Sequence, residues 1–194
     1  CYWEDGKGEW DKLLAKSWSR IFFGSESYTS TIDISPFNYK MIRSESFYNA
    51  LWNTLNLKSN ITFVKATVES FAELENSVQI NTDAGTYITS KLFNSIADSN
   101  VYETQKKYPV LQQHFAGWFV ETQEDMFDDS MATFMDFNID QKGNTRFMYV
   151  LPINKKTALF EYTLFSKTLL QSIEYEIAIK DYLNDKNINN YKSI

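Results

Sequence analysis

Hydrophobic and polar positions change period several times along the chain. Residues 9–18 place Trp10, Leu13, Leu14 and Trp18 at helical spacing and predict a short amphipathic helix with two indoles on its buried face. Residues 30–35 read as a strand closed by Pro36. From Ser44, a candidate N-cap, Phe47, Leu51, Thr54 and Leu55 form one stripe of a second helix, which the polar residues 56–60 end. Residues 61–69 carry a strand pattern. Residues 77–82, the turn Asp83-Ala84-Gly85 and residues 86–89 form a predicted hairpin, with residues 91–96 as an extension of its sheet. The polar stretch 97–107 is a loop or surface helix and marks the break between two halves. Beyond Pro109, the runs 114–122, 130–137, 146–151 and 157–165 predict an antiparallel sheet with short turns. A last amphipathic helix, from Thr168 to about Leu183, carries Leu170, Ile173, Ile177 and the stem of Lys180 on one face. Strands and helices in mixed order imply an α/β or α+β body whose second half is mostly sheet.

Within the last predicted hairpin, RFMYVLPINKKTALFEYTLFS, one acid stands in an otherwise apolar strand. Alternation puts Leu159, Glu161, Thr163 and Phe165 on one face and Ala158, Phe160, Tyr162 and Leu164 on the other. Such an acid either points to solvent, or pairs with a lysine such as Lys155, or is desolvated. Desolvation disfavours the carboxylate and keeps a carboxylic acid protonated for proton donation.

The 194 residues suffice for a substantial core, and 43% hydrophobic with 23% charged residues is ordinary for a globular protein. Aromatics at 16% suit either a large apolar cavity or an aromatic core. The net charge of -6 argues against nucleic acid as a partner, because phosphate-backbone binding depends on concentrated Lys and Arg. One cysteine, Cys1, and one histidine, His114, exclude an intramolecular disulfide and any zinc site built from several Cys or His ligands, so no metal is expected. His114, at a strand start, reads as a hydrogen-bonded structural residue. No apolar run approaches the roughly 20 residues of a membrane-spanning helix, so any membrane contact is expected to be peripheral. There is no GxGxxG and no Walker-type GK[ST] run to cradle a nucleotide phosphate. The first residue is not methionine, and a piece of a longer protein is the expectation.

Four segments together resemble the lycopene cyclase family of flavin-containing proteins, which close the end rings of carotenoids. They are Phe37-Asn38-Tyr39-Lys40-Met41-Ile42-Arg43 with Phe47-Tyr48; Gln113-His114-Phe115-Ala116-Gly117-Trp118-Phe119-Val120-Glu121-Thr122; Phe127-Asp128 with Met135-Asp136-Phe137; and Tyr149-Val150-Leu151-Pro152 with Glu161-Tyr162-Thr163. Their order and spacing over most of the chain make the set specific. The resemblance implies a partial FAD/NAD(P)-binding, Rossmann-like flavoprotein of glutathione-reductase type, with an antiparallel substrate-domain sheet covered by helices. It divides the chain into a partial flavin-binding domain with inserted segments, residues 1–107, and the substrate-domain sheet with its covering helix, residues 108–194. The glycine-rich dinucleotide-binding unit of the family is absent from this sequence.

By the same resemblance, Glu161 falls on the first acid of the family's Glu-(Glu/Asp/other)-Thr motif, where the first Glu is the favoured catalytic acid or base. Plant members carry a second Glu where Tyr162 stands here, which weakens a two-carboxylate mechanism. The implied reaction is non-redox, acid–base cyclisation of the ends of a linear carotene, of the lycopene to β-carotene type, with FAD as cofactor and NAD(P)H as a candidate flavin reductant. Trp118, Phe119, Phe147 and Tyr149 are candidate substrate contacts, each set against ordinary sheet packing. Asp136 is a second candidate acid or base, or an orienting partner for Glu161, against a structural salt bridge. Arg43 is a candidate cofactor contact or the anchor of a loop carboxylate. The implied location is cytoplasmic, on the inner face of the membrane. Competing expectations are a related FAD-dependent reductase or monooxygenase acting on an isoprenoid, and a domain that binds carotenoid or lipid without transforming it.

Overall fold

A computed structural model describes residues 1–96, 107–108 and 110–194. In chain order the strands are β1 (Tyr2–Asp5), β2 (Leu14–Trp18), β3 (Arg20–Ser25), β4 (Tyr28–Asp33) and β5 (Phe37–Ile42), followed by helix α1 (Ser44–Leu55). Then come β6 (Val68–Glu73), β7 (Val78–Thr82) and β8 (Gly85–Thr89). The remaining elements are β9 (Gln112–Thr122), β10 (Ala132–Asp136), β11 (Thr145–Asn154), β12 (Thr157–Ser166), helix α2 (Ser172–Asp185) and β13 (Tyr191–Ser193). The expected mixture of strands and helices is present and is dominated by sheet.

The chain divides into two compact units, Cys1–Asn49 with Pro109–Ile194, and Ala50–Tyr108. In the second unit, β6, β7 and β8 form an antiparallel three-stranded sheet in that order. The β7–β8 pair is the predicted hairpin, and Gly85 at φ 136 supplies its turn. Residues 61–67 and 91–96 form no strand, contrary to the pattern reading. The stretch 97–106 lies outside the described residues.

The first unit holds a seven-stranded sheet ordered β13-β9-β12-β11-β10-β3-β4, antiparallel apart from the parallel β3–β10 pair, and a smaller sheet ordered β1-β5-β2. Strands from the first 42 residues are thus hydrogen-bonded into the same sheet as the C-terminal half. No βαβ unit occurs among the described residues, so the Rossmann-like part of the expectation has no counterpart there. The antiparallel sheet with its covering helix is as expected.

Residues 9–18 do not form a helix. A 3-10 turn at Asp11–Leu13 leads into β2, which pairs with β5 and buries Trp18 against Tyr39 with ring centroids 5.9 Å apart. Cross-strand pairing satisfies the backbone and buries the indole, and this outweighs a helical spacing of only four apolar residues. Lys40 on β5 is almost wholly buried, yet its ammonium reaches Glu4, Asp11 and the Gly6 carbonyl at 2.8, 2.6 and 2.8 Å. That network ties β1 and the turn to β5.

Helix α2 covers one face of the large sheet. It buries Tyr175, Ile179, Tyr182 and Leu183 on Val120, Met148, Val150, Phe160, Tyr162 and Leu164. The expected face is corrected by this packing: Ile173 and Ile177 are 55% and 47% exposed. On the opposite face, Leu151, Leu159, Phe119 and Phe134 pack with Trp18, Tyr39 and Met41 of the smaller sheet.

Candidate functional site

The predicted β11–β12 hairpin forms, in a register that sets Tyr149 opposite Glu161 and Phe147 opposite Thr163. On its other side β12 pairs with β9, setting Gly117 opposite Glu161, Phe119 opposite Leu159 and Phe115 opposite Thr163. Directly opposed residues share a face. Glu161 therefore stands with Tyr149, Phe147, Phe119, Phe115 and Gly117 on the face away from α2.

Aromatic rings continue outward from Tyr149. Phe147 and Phe134 lie 5.0 and 5.8 Å from it, and Phe134 in turn lies 5.7 Å from Tyr39 and 5.3 Å from Trp3. Half-burial beside these rings pushes the Glu161 carboxyl above the ordinary carboxylate range, and a hydrogen bond from Thr163 Oγ1 at 3.2 Å opposes this only partly. Burial also raises the Tyr149 phenol, and burial with the fields of Tyr149 and Glu161 pushes Tyr39 up to about 12. Both phenols are neutral around pH 7. Lys155 reaches Asp125 instead of Glu161, at 3.9 Å, and among the described residues no lysine or arginine lies within ion-pair distance of Glu161. The result is a half-buried acid on an aromatic surface, which suits delivery of a proton to an apolar group.

Other sequence candidates separate by face. Phe119, Phe147 and Tyr149 share the Glu161 face, whereas Trp118 pairs with Phe160 and turns to the α2 side, where Lys180 sits 5.5 Å from its ring centroid. Asp136 pairs with Met148, also on the α2 side, and is 1% exposed. Its carboxylate accepts from Tyr182 Oη at 2.7 Å, from Asn138 N and Nδ2 at 3.0 and 2.8 Å, and from Lys186 Nζ at 3.4 Å. Burial works to raise its pKa, but those bonds together outweigh it and hold the carboxyl below the usual range. The sheet therefore stands between Asp136 and Glu161, and Asp136 anchors α2 instead of orienting the acid. Arg43 is exposed and stacks its guanidinium 4.8 Å from the Phe119 ring centroid, a cation–π contact in place of a loop carboxylate.

His114 is the structural residue its position suggested. Its Nε2 meets Ser166 Oγ at 2.8 Å, its Nδ1 meets Tyr175 Oη at 2.6 Å, and Ser166 Oγ donates to the Thr168 carbonyl. Because Ser166 spends its proton on Thr168, it accepts from Nε2–H, which leaves Nδ1 to accept from Tyr175. The chain of bonds pins the start of α2 to β9 and β12.

Sequence reading missed Tyr39, Phe134, Trp3 and Gly117 as members of this face. Tyr39 and Trp3 come from strands of the smaller sheet that have no clear period-two pattern. Gly117 had a local signal: a glycine in the middle of a strand run marks a close approach.

A family model described as "Lycopene cyclase protein" matches residues 1–194, the whole chain. No curated protein matches the sequence. Among solved structures, the chain is similar to a geranylgeranyl bacteriochlorophyll reductase-like protein from Thermoplasma acidophilum, with a TM-score of 0.57 and 10% identity over 99% of this chain and 53% of that one. It is also similar, at a TM-score of 0.37 and 11% identity, to a tetracycline destructase, over 90% of this chain and 45% of the other. The chain spans about half the length of these structures, and the likeness to the first, at 10% identity, shows the fold alone.

Proposed function

The chain belongs to the lycopene cyclase family, and on that premise we propose that the complete protein carrying it closes the end rings of a linear carotene, with Glu161 as the proton donor. The reaction needs an acid that stays protonated beside an apolar polyene. Proton transfer from Glu161 to the terminal trisubstituted alkene creates a tertiary cation. The electron pair of the neighbouring alkene then forms the ring carbon–carbon bond, and the Glu161 carboxylate left by the first transfer takes a proton from the carbon adjacent to the new cation, restoring an alkene. One proton enters and one leaves, so the product is an isomer and no electrons are exchanged.

The observation that carries this reading is the Glu161 carboxyl on a face of aromatic rings, its pKa raised by burial against the weaker opposing pulls of Thr163 and the N-terminal ammonium, with no lysine or arginine in ion-pair distance among the described residues. Desolvation makes the acid a better donor to carbon by disfavouring its ionised form. Tyr149, Phe147 and Phe119 offer ring faces to the cation, each contributing on the order of 1–2 kcal/mol when well placed. Asp136, committed to Tyr182 and Lys186 on the other side of the sheet, takes no part.

FAD belongs to the proposal for the complete protein. Neither helix among the described residues begins at a glycine-rich turn: Arg43 precedes α1, Gln171 caps α2, and the glycines lie elsewhere. The described residues therefore do not fit a dinucleotide pyrophosphate, which needs close backbone approach at a helix N-terminus. No step above passes through a flavin. A nicotinamide reductant and peripheral membrane contact stand as proposals of the same kind; among the described residues no helix is long and apolar enough to cross a membrane.

The test is expression of the complete protein in a lycopene-making bacterium. Cyclic carotene should accumulate, and Glu161→Gln should abolish it, because the amide N–H is far too weak an acid to protonate an alkene. Unchanged lycopene with the wild-type protein would sink the activity, and ring closure by the Gln variant would remove Glu161 from it. The second reading, a FAD-dependent reductase or monooxygenase acting on another isoprenoid, draws on the structural likeness to the geranylgeranyl bacteriochlorophyll reductase-like protein. Nicotinamide oxidation coupled to product formation would favour it. Tight carotenoid binding with no product would favour a binding domain.

A further inference from the structure

We propose that Gly117 is the residue that decides which end group reaches Glu161, by leaving the acid uncovered on the flank opposite Tyr149. This rests on the cyclase reading of the Glu161 face and adds to it the position and size of the subsite.

Glycine weakens the interior of a strand, so its place in β9 needs a reason. Backbone conformation does not provide one, since the positive-φ glycines are Gly6, Gly85 and Gly143. Nor does a bulge, because β9 and β12 pair without a register shift from Thr157↔Glu121 to Ser166↔Gln112. Space is what remains. A Cβ on Gly117 would come within 3.2 Å of Leu159 Cδ1, 3.4 Å of the Phe160 carbonyl oxygen and 3.6 Å of Glu161 Cβ.

The surroundings make this space a subsite. Gly117 is solvent-exposed, and directly across the strand pair stands Glu161, whose other flank is occupied by Tyr149. Along β9, Phe115 and Phe119 project from the same face on either side of Gly117, with Phe115 60% exposed and Phe119 half-buried under Arg43. Four residues of extended strand put these two phenylalanines roughly 13 Å apart along the chain. The backbone between them is exposed at Gly117, with Leu159 leaning to its edge and Glu161 directly across the strand pair. This exposed stretch suits an isoprenoid end group, which is flat at the alkene and bulky only at its paired methyls. A side chain at 117 would occupy the volume those methyls need, and Leu159 has little room to retreat because it packs against the core shared with the smaller sheet.

The experiment compares the complete wild-type protein with Gly117→Ala and Gly117→Val, reading carotenoid binding by quenching of intrinsic fluorescence with lycopene in detergent micelles, and ring closure by product analysis. One added methyl should cut kcat/KM for lycopene about tenfold and Val about a hundredfold, the usual cost of misfit in an apolar pocket. The melting temperature is read beside each rate: strand propensity favours Ala and Val over glycine, while crowding of Leu159 works against them, so both variants should stay folded at the assay temperature. The decisive arm is a polyene whose terminal alkene carries one methyl in place of two. Loss of that methyl makes the cation secondary and slows ring closure in every form of the protein, so this arm reads binding relative to wild type: Gly117→Ala should bind the trimmed polyene as tightly as wild type does, an outcome that a merely structural role would not produce. Wild-type rates and binding in Gly117→Val, or equal losses of binding on both polyenes in Gly117→Ala, would overturn the proposal while leaving the cyclase reading intact. If the wild-type protein binds lycopene without closing a ring, the cyclase reading falls, and Gly117 is judged by binding alone: Val must weaken it at least about tenfold. Absence of both binding and ring closure in the wild type would overturn both.

Discussion

Glu161 and Asp136 stand two strands apart in one sheet, and burial acts on both, yet their ionisation moves in opposite directions. Asp136 accepts from Tyr182, Asn138 and Lys186, so its charged form is solvated by the protein. Glu161 receives one hydrogen bond, from Thr163, and a smaller pull from the N-terminal ammonium, and neither offsets its burial beside the rings. An acid whose pKa is higher in the folded than in the unfolded chain binds more protons when folded over the interval between the two values. Stability therefore falls as pH rises through that interval and stays lower above it. Glu161→Gln removes the titration, so the variant should be more stable than wild type at about pH 8, with the gap closing below about pH 4, where both states are protonated. Urea denaturation of the complete protein at the two pH values reads this directly. A wild type more stable than the variant at the higher pH would mean that Glu161 is held as a carboxylate. The sequence showed that an acid stood on a strand face. It could not show whether a partner crossed from another strand, which is why Lys155 and Asp136 stayed open until the register placed them.

Element by element, legibility followed how local the stabilising contacts are. The β11–β12 and β7–β8 hairpins and α1 were readable because alternation, turn chemistry or a stripe of apolar residues lies within each segment. Helix α2 was readable as a helix but not as to its face: its sequence offers the stripe Ile173 and Ile177 as well as Tyr175, Ile179 and Tyr182. The sheet chooses the second, since tyrosine there both fills space and finds partners for its hydroxyl, in His114 and in Asp136. Ile179→Ala should cost about 3 kcal/mol by cavity formation, whereas Ile177→Ala should change stability by less than about 0.5 kcal/mol. Equal effects in chemical denaturation would contradict the packing. Strands β1, β2 and β5 went unread because their pairing partners lie 20 or more residues away and their patterns mix both faces, and β3 went unread although it forms a tight hairpin with β4, because its apolar run does not alternate.

At the scale of the whole molecule, one sheet draws on both ends of the chain, through β3 and β4 near the start and β9 to β13 near the end. Its α2 side is closed by a helix, while its Glu161 side is only partly covered by the smaller sheet and keeps exposed aromatic residues. The chain spans about half the length of its structural relatives and holds no glycine-rich phosphate turn. These 194 residues expressed alone should therefore purify without flavin, while the complete protein should purify yellow; absorbance and flavin release on denaturation check both. A yellow preparation of the isolated chain would show that its own residues make the cofactor site. The amino-acid sequence alone determined the family, the antiparallel character of the second half and the carboxyl on the hairpin, because short-range periodicity and motif order are written in neighbouring residues. Tertiary structure alone decided that Phe119, Phe147, Tyr149 and Gly117 stand with that carboxyl while Trp118 and Asp136 stand behind the sheet. Strand parity and register are set by hydrogen bonding between distant segments, and one residue of register separates the two faces.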